Sequence, residues 1–172
     1  SPAQVAAVIV EACLAMGAAA AAVVMADGEG LRVLSAPGRP TDRSLRLAPG
    51  SPHPLAEVVR TGTPIWRAGA TGADGAESSL PGQVAIPLAL AGSVVGAFAF
   101  SFAEPVELEP AARAALLVRA ELYAQALDRA RLRETEHEVA EVLQRSLLPG
   151  RLPDLDDIDS VARYRPGALN TQ

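Results

Sequence analysis

Residues 107–148 read ELEPAARAALLVRAELYAQALDRARLRETEHEVAEVLQRSLL, a stretch with no glycine and one early proline, whereas glycine and proline punctuate the chain before it. About 40 such residues can run as one helix of roughly 60 Å at 1.5 Å per residue. The first half of that helix carries Leu108, Ala112, Ala115, Leu116, Leu122, Tyr123, Ala126 and Leu127, a broad apolar stripe suited to packing on a domain. Its second half carries only Leu132, Thr135, Val139, Val142 and Ser146, at alternating steps of three and four amid Arg and Glu. A seam that narrow is not satisfied by one chain in water, so a partner helix and a homodimer are expected.

Composition narrows the partners further. The formal net charge is -5, and all 15 basic residues are Arg. That balance lacks the basic excess non-specific phosphate contacts need, so no nucleic acid is expected. Without lysine there is no P-loop lysine, Schiff base or lysine general base. A single cysteine, Cys13, allows no internal disulfide and no CxxC pair. The opening SPAQVAAVIVEA lacks the basic n-region of a secretory signal, and the reading is cytoplasmic. Two uncharged stretches, Ala12–Ala26 and Gln83–Ala103, raise the question of a membrane. The first is short of the roughly 18 residues a spanning helix needs. The second is broken by Pro87, Gly92, Ser93 and Gly96 and reads as two strands, VAIPLAL and VVGAFAFSF, joined through AGS.

The remaining elements follow from local signals. Ser1, Pro2 and Gln4 open a helix with a capping box. Val5, Val8, Ile9, Ala12 and Met16 then recur at helical spacing until Gly17. AAAAAVVMADGEGLRVLSA reads as strand, Asp-Gly turn and strand. Residues 37–43 are loop, SLRLA is a short strand, and PGSPHPLAEVVRTG holds a helix entered at Pro54 and stopped at Gly62. TPIWRA is a strand, and residues 69–82 form a surface loop. LLPGRLPDL ends the long helix, and a further strand is expected around Val161–Tyr164.

In this order the elements resemble a GAF domain, the small-molecule sensor module whose antiparallel sheet is flanked by helices. SPHPLAEVVRTGTPIW is similar to the family's helix before its middle strand, and VAIPLALAGSVVGAFAFSF to its closing hairpin. The segment ALDRARLRETEHEVAEVLQRSLLPGRLPDLDDIDSVARYRP is similar to the junction between a GAF domain and a stage-II-sporulation-type (PPM/PP2C-like) serine/threonine phosphatase. The resemblance implies an α+β fold with a GAF-type antiparallel sheet flanked by helices and a long C-terminal signalling helix. It implies a sensor domain over 1–131, a signalling helix over 132–148, and a linker with the first strand of a phosphatase domain over 149–172. In that family an RYRP-type strand leads into a Gly-Gly-Asp motif whose aspartate binds the catalytic metal; this sequence stops at Gln172, before such a motif. Mg or Mn is therefore expected only for that phosphatase domain, and no cofactor for this chain.

Residue by residue, the chemistry is sparse. His53, between Pro52 and Pro54 at a helix entry, suits a hydrogen bond to a free backbone amide, and His137 lies among charges on the long helix. Asp154, Asp156, Asp157 and Asp159 lack the glycine and closing glutamate of an EF-hand loop, so no metal site is expected. Cys13, beside Ala12 and Met16, reads as a packed small hydrophobe. Its position does not match the cysteine of bilin-carrying GAF domains, and the Asn-Lys pair of cyclic-nucleotide-binding members is missing. Trp66 and the alternating Phe98, Phe100 and Phe102 suit core packing, with a pocket wall as the functional alternative. His53, Trp66, Arg67, Phe98 and Phe100 are the candidate pocket for an unidentified small molecule. Ser78 and Ser79 have no His and Asp at hydrolase spacing, and no catalytic residue is identified. The function expected is regulation of a phosphatase through ligand or partner binding and helix pairing. Alternatives are a ligand-free structural dimerisation module and the input domain of a histidine kinase or nucleotide cyclase.

Overall fold

A computed structural model describes residues 1–28, 30–36, 46–68 and 82–147. It divides the chain into two units, Ser1–Glu134 and Thr135–Gln172, and what is described of the second is helical up to Leu147. The expected loop at 37–43, all but the last residue of the loop at 69–82, the acidic cluster and the Val161–Tyr164 strand lie outside the described residues.

Helix α1 spans Pro2–Ala15, with Gln4 Oε1 accepting from the Ser1 nitrogen at 2.7 Å. Strands β1 (Ala20–Ala26) and β2 (Leu31–Ser35) form the first hairpin, followed by the short β3 (Arg46–Leu47). Helix α2 (Pro54–Thr61) starts with proline in its first turn, which needs no donor there, and ends on Gly62 at φ +66. Strand β4 (Ile65–Arg67) leads on to β5 (Gly82–Leu90) and β6 (Ser93–Phe102). The last two are joined through Ala91 and Gly92, both with positive φ, as a tight hairpin turn requires. Helix α3 runs 38 residues, Pro110–Leu147.

The strands form one sheet in the order β3-β2-β1-β6-β5-β4, with every pair antiparallel. The first and last long strands therefore lie side by side at its centre. There Gly96 faces the β1 backbone so closely that a Cβ would collide with the Val24 carbonyl oxygen.

Period-two alternation divides the core into two clusters, one on each face. Val23, Met25, Ile86, Leu88, Phe98 and Phe100 pack against Ile9 and Cys13 of α1 and Leu116, Ala120, Ala124 and Leu127 of α3. Val24, Ala85 and Ala97 pack against Leu55, Ala56 and Val58 of α2.

Both outer helices bury only part of the stripe their spacing suggests: Ile9 of α1 and Leu116 and Leu127 of α3 are buried as expected, with Val5, Leu108 and Tyr123 packed against the same cluster. In α1 the buried residues are Pro2, Ala6, Ile9, Val10 and Cys13, while Val8 is 61% exposed and Met16 39%. The cause is that α1 has only Gln4 and Glu11 as polar markers, so an apolar stripe can be drawn along almost any side. In α3 the inward row is Leu116, Ala120, Ala124 and Leu127, while Leu122 is 58% exposed and Ala115 is exposed. Alanine at two of those four positions lets the helix axis sit close to the sheet.

Candidate functional site

The alternation that builds the core also separates the five residues expected to share a pocket. Trp66, Phe98 and Phe100 face α1 and α3. Phe98 stacks on Phe100 with centroids 6.2 Å apart and meets Tyr123 edge-on at 5.8 Å. Trp66 packs against the same cluster, and the Arg113 guanidinium lies 5.5 Å from its ring centroid. These aromatics are core, the first of the two readings their spacing allowed.

His53 and Arg67 belong to the opposite face. His53 is the N-cap of α2, and its Nδ1 accepts from the Leu55 N–H at 3.2 Å, satisfying one of the amides that a helix start leaves free. Arg67 follows Trp66 on β4 and points the other way, pairing Nη2 with Glu57 Oε2 of α2 at 3.5 Å. One pocket lined by all five is therefore corrected to two groups on opposite faces, because consecutive strand residues cannot share a face. Two surface cavities, of about 110 and about 260 Å³, are lined by residues around Arg32 and Arg113 respectively and by none of the five.

Beneath α2 the strand register assembles a group that the sequence alone did not reveal. Arg67 pairs across β4–β5 with Gln83, and Gln83 across β5–β6 with Ser101. Arg67 Nη1 donates to Gln83 Oε1 at 3.4 Å. The neighbouring row on this face is Ile65, Ala85, Ala99 and Ala22. The helix covers Ala85, while Ala99 and Ala22 are half-buried. Methyl groups thus floor a shelf bordered by one cation, one amide and one hydroxyl, with Glu57 on the helix beside it. A signal was present in the alternating IWR, GQVA and FSF segments, but only the register shows that Arg67, Gln83 and Ser101 fall in line.

Cys13 is buried, and burial pushes its thiol up to about 11, offset in part by the Arg119 charge. Tyr123 is also raised, first by burial and then by the nearby Cys13 thiolate, with Arg119 opposing. Both changes favour the neutral form, and a neutral buried thiol is a poor nucleophile. Among the described residues no three His, Cys, Asp or Glu side chains come together as a metal site, and no helix is long and apolar enough to cross a membrane.

The sequence profile of the GAF domain family matches residues 1–128. The fold is similar to the GAF domain of a phosphoenolpyruvate-protein phosphotransferase from Coxiella burnetii, with TM-score 0.67, 19% identity, and coverage of 78% of this chain and 87% of that one. It is similar to a type II free methionine-R-sulfoxide reductase from Thermoplasma acidophilum, with TM-score 0.60, 12% identity, and coverage of 75% and 96%. A third likeness is to the GAF-B domain of DevS from Mycobacterium smegmatis, with TM-score 0.60, 18% identity, and coverage of 79% and 99%. No curated protein matches the sequence.

Proposed function

The chain belongs to the GAF domain family, and from that premise we propose that it is the sensor domain of a bacterial metal-dependent protein serine/threonine phosphatase, acting on the phosphatase through paired helices. The observation that carries the helix pairing is the exposure of the seam. Leu132 is 56% exposed, Val139 53% and Val142 61%, and Thr135 is exposed too; the side chain of Ser146 lies outside the described residues. Large aliphatic side chains at heptad spacing on a solvated helix favour a second helix over water.

In this reading a ligand or partner bound on the sensor favours one arrangement of the two helices, and that choice reorients whatever follows them. The phosphatase assignment is supported by the junction sequence from Ala126 to Pro166. The metal of such an enzyme belongs to the phosphatase domain, and the described residues of this chain offer it no ligand set. The sensor itself breaks no bonds.

The reading is tested in two steps. Light scattering of the chain should give a dimer, and a monomer at high concentration removes the helix-pairing mechanism. The parent gene should encode a Gly-Gly-Asp motif shortly beyond Gln172, and its product should dephosphorylate a phosphoserine protein with Mn; a kinase or cyclase sequence there removes the phosphatase.

The filled aromatic core favours a second reading on the α1/α3 face, that of a ligand-free dimerisation module. A thermal-shift screen separates the two, since a ligand binding only the folded state raises the melting temperature and an empty module gives no hit.

A further inference from the structure

The inward row of α3 ends on a charge. Leu116, Ala120, Ala124 and Leu127 are buried against the sheet, Ala130 and Glu134 are half-buried, and every α3 residue past Glu134 whose side chain is described is exposed. Glu134 is thus the last place where the described helix leans on the sensor. Its counterpart is Arg32 of β2, which pairs across the strands with Met25 and so lies on the face that α1 and α3 cover. Arg46 of β3, the next arginine in that row, is held by Asp27 at 2.9 Å. Arg32 Nη2 stands 4.0 Å from Glu134 Oε2, the outer limit of an ion pair and too far for a hydrogen bond. Arg32 Nε is buried and donates to nothing among the described residues. Nε and Nη2 share one edge of the guanidinium plane, the edge that a carboxylate can grip with both oxygens at once. Charge-assisted bonds of that kind close at about 2.7–2.9 Å, so an approach of roughly 1 Å meets the unmet donor and tightens the pair together. The cavity of about 110 Å³ that these two side chains line beside the start of α1 gives them room to move.

Resting on the sensor reading, we propose that Arg32 and Glu134 form a clasp between the sheet and the signalling helix, open as it stands here and closed in the other signalling state as a two-bond guanidinium–carboxylate pair. Closing holds the turn of α3 around Glu134 against β2, and opening frees that turn. A buried donor left unmet favours closing. Withdrawing two charges from water opposes it. Terms of opposite sign and similar size leave such a contact poised between two arrangements, and a small shift of β2 or of the helix decides which is occupied. Arg32 and Glu134 are positioning residues: they act on the output through where α3 is held.

Hydrogen exchange along α3, read by mass spectrometry on the whole chain, tests this. Arg32→Gln and Glu134→Gln should each speed exchange of the amides over 128–138 by about threefold to tenfold, while those over 116–127 stay unchanged. The double variant should add nothing further, and the swapped pair Arg32→Glu with Glu134→Arg should restore much of the protection. Arg32→Lys keeps the charge but has no fork, and should lose protection as Arg32→Gln does. Glu134 lies past the last buried residue of the helix, so Glu134→Gln keeps the fold and the test stands where an Arg32 variant unsettles the sheet. Unchanged exchange in Glu134→Gln, single effects that add, or full protection with lysine at position 32 overturns the clasp. Light scattering separates this from the helix-pairing reading. Protection that depends on both residues in a monomeric chain keeps the clasp and removes the pairing; a dimer whose exchange ignores both residues does the reverse.

Discussion

Ala91 sits at φ +49 in the β5–β6 turn, where an L-residue with a Cβ is strained and where asparagine or glycine is at ease. Ala91→Gly or Ala91→Asn should therefore stabilise the chain by about 0.5–1 kcal/mol, read as a higher denaturation midpoint. Gly96 is the reverse case: Gly96→Ala drives a methyl into the Val24 carbonyl oxygen, and the loss should reach the upper end of the about 1–3 kcal/mol typical of overpacking. Cys13 makes stability depend on pH. Its folded pKa is raised from 9.0 to about 11, so the folded state keeps a proton that the unfolded chain has released. The contribution is complete below pH 9.0 and falls away as pH rises toward about 11. Thermal melts across that window should show declining stability, with Tyr123 adding to the slope and Cys13→Ala flattening it. A thiol reagent at neutral pH should label Cys13 only after unfolding.

At the scale of elements, α3 is held to the sheet by a row in which alanine alternates with leucine only loosely: Leu116, Ala120, Ala124, Leu127. Ala124 is fully buried in the cluster that holds Phe98. Ala124→Leu adds three carbons where the helix comes close to the sheet, and about 1–3 kcal/mol should be lost in chemical denaturation. The same substitution at Ala114, which is exposed, should change little. Element type and order were largely legible, because proline, glycine and the Asp-Gly turn mark most boundaries. The inward faces of α1 and α3 were legible only in part: Ile9, Leu116 and Leu127 lie on them as the spacing suggests, while Val8, Met16 and Leu122 do not. An almost wholly apolar helix such as α1 fits several stripes equally, and in α3 the small Ala120 and Ala124 complete the contact between Leu116 and Leu127.

Across the whole chain, one continuous helix begins on the sensor unit and continues past Glu134 into the second unit. Exposed Val139 and Val142 lie along that continuation, and exposed Leu132 lies just before it. Replacing Val139 and Val142 with Asp places charge in a seam that would otherwise close between two copies. Sedimentation or light scattering should show dimerisation weakened by about a hundredfold or more, while the sensor unit keeps its melting transition. An unchanged oligomeric state would mean that these valines face no partner. Of the candidate pocket, the residue types were legible in sequence but their grouping was not. His53 does cap α2 and the aromatics do alternate, yet adjacent positions such as Trp66 and Arg67 were assigned to one site when a strand must send them to opposite faces.

Local covalent rules settled the elements: where a chain turns, where a helix starts and stops, and which strand residues share a side are all decided within a few residues of each other. Neighbours across the sheet are a different matter. Whether Ser101 lies beside Gln83, whether Gly96 meets the Val24 carbonyl, and which side of α1 goes inward depend on strand register and on packing between segments far apart in sequence. No local signal carries that information, because register and helix rotation are chosen by the total fit of the assembled layers.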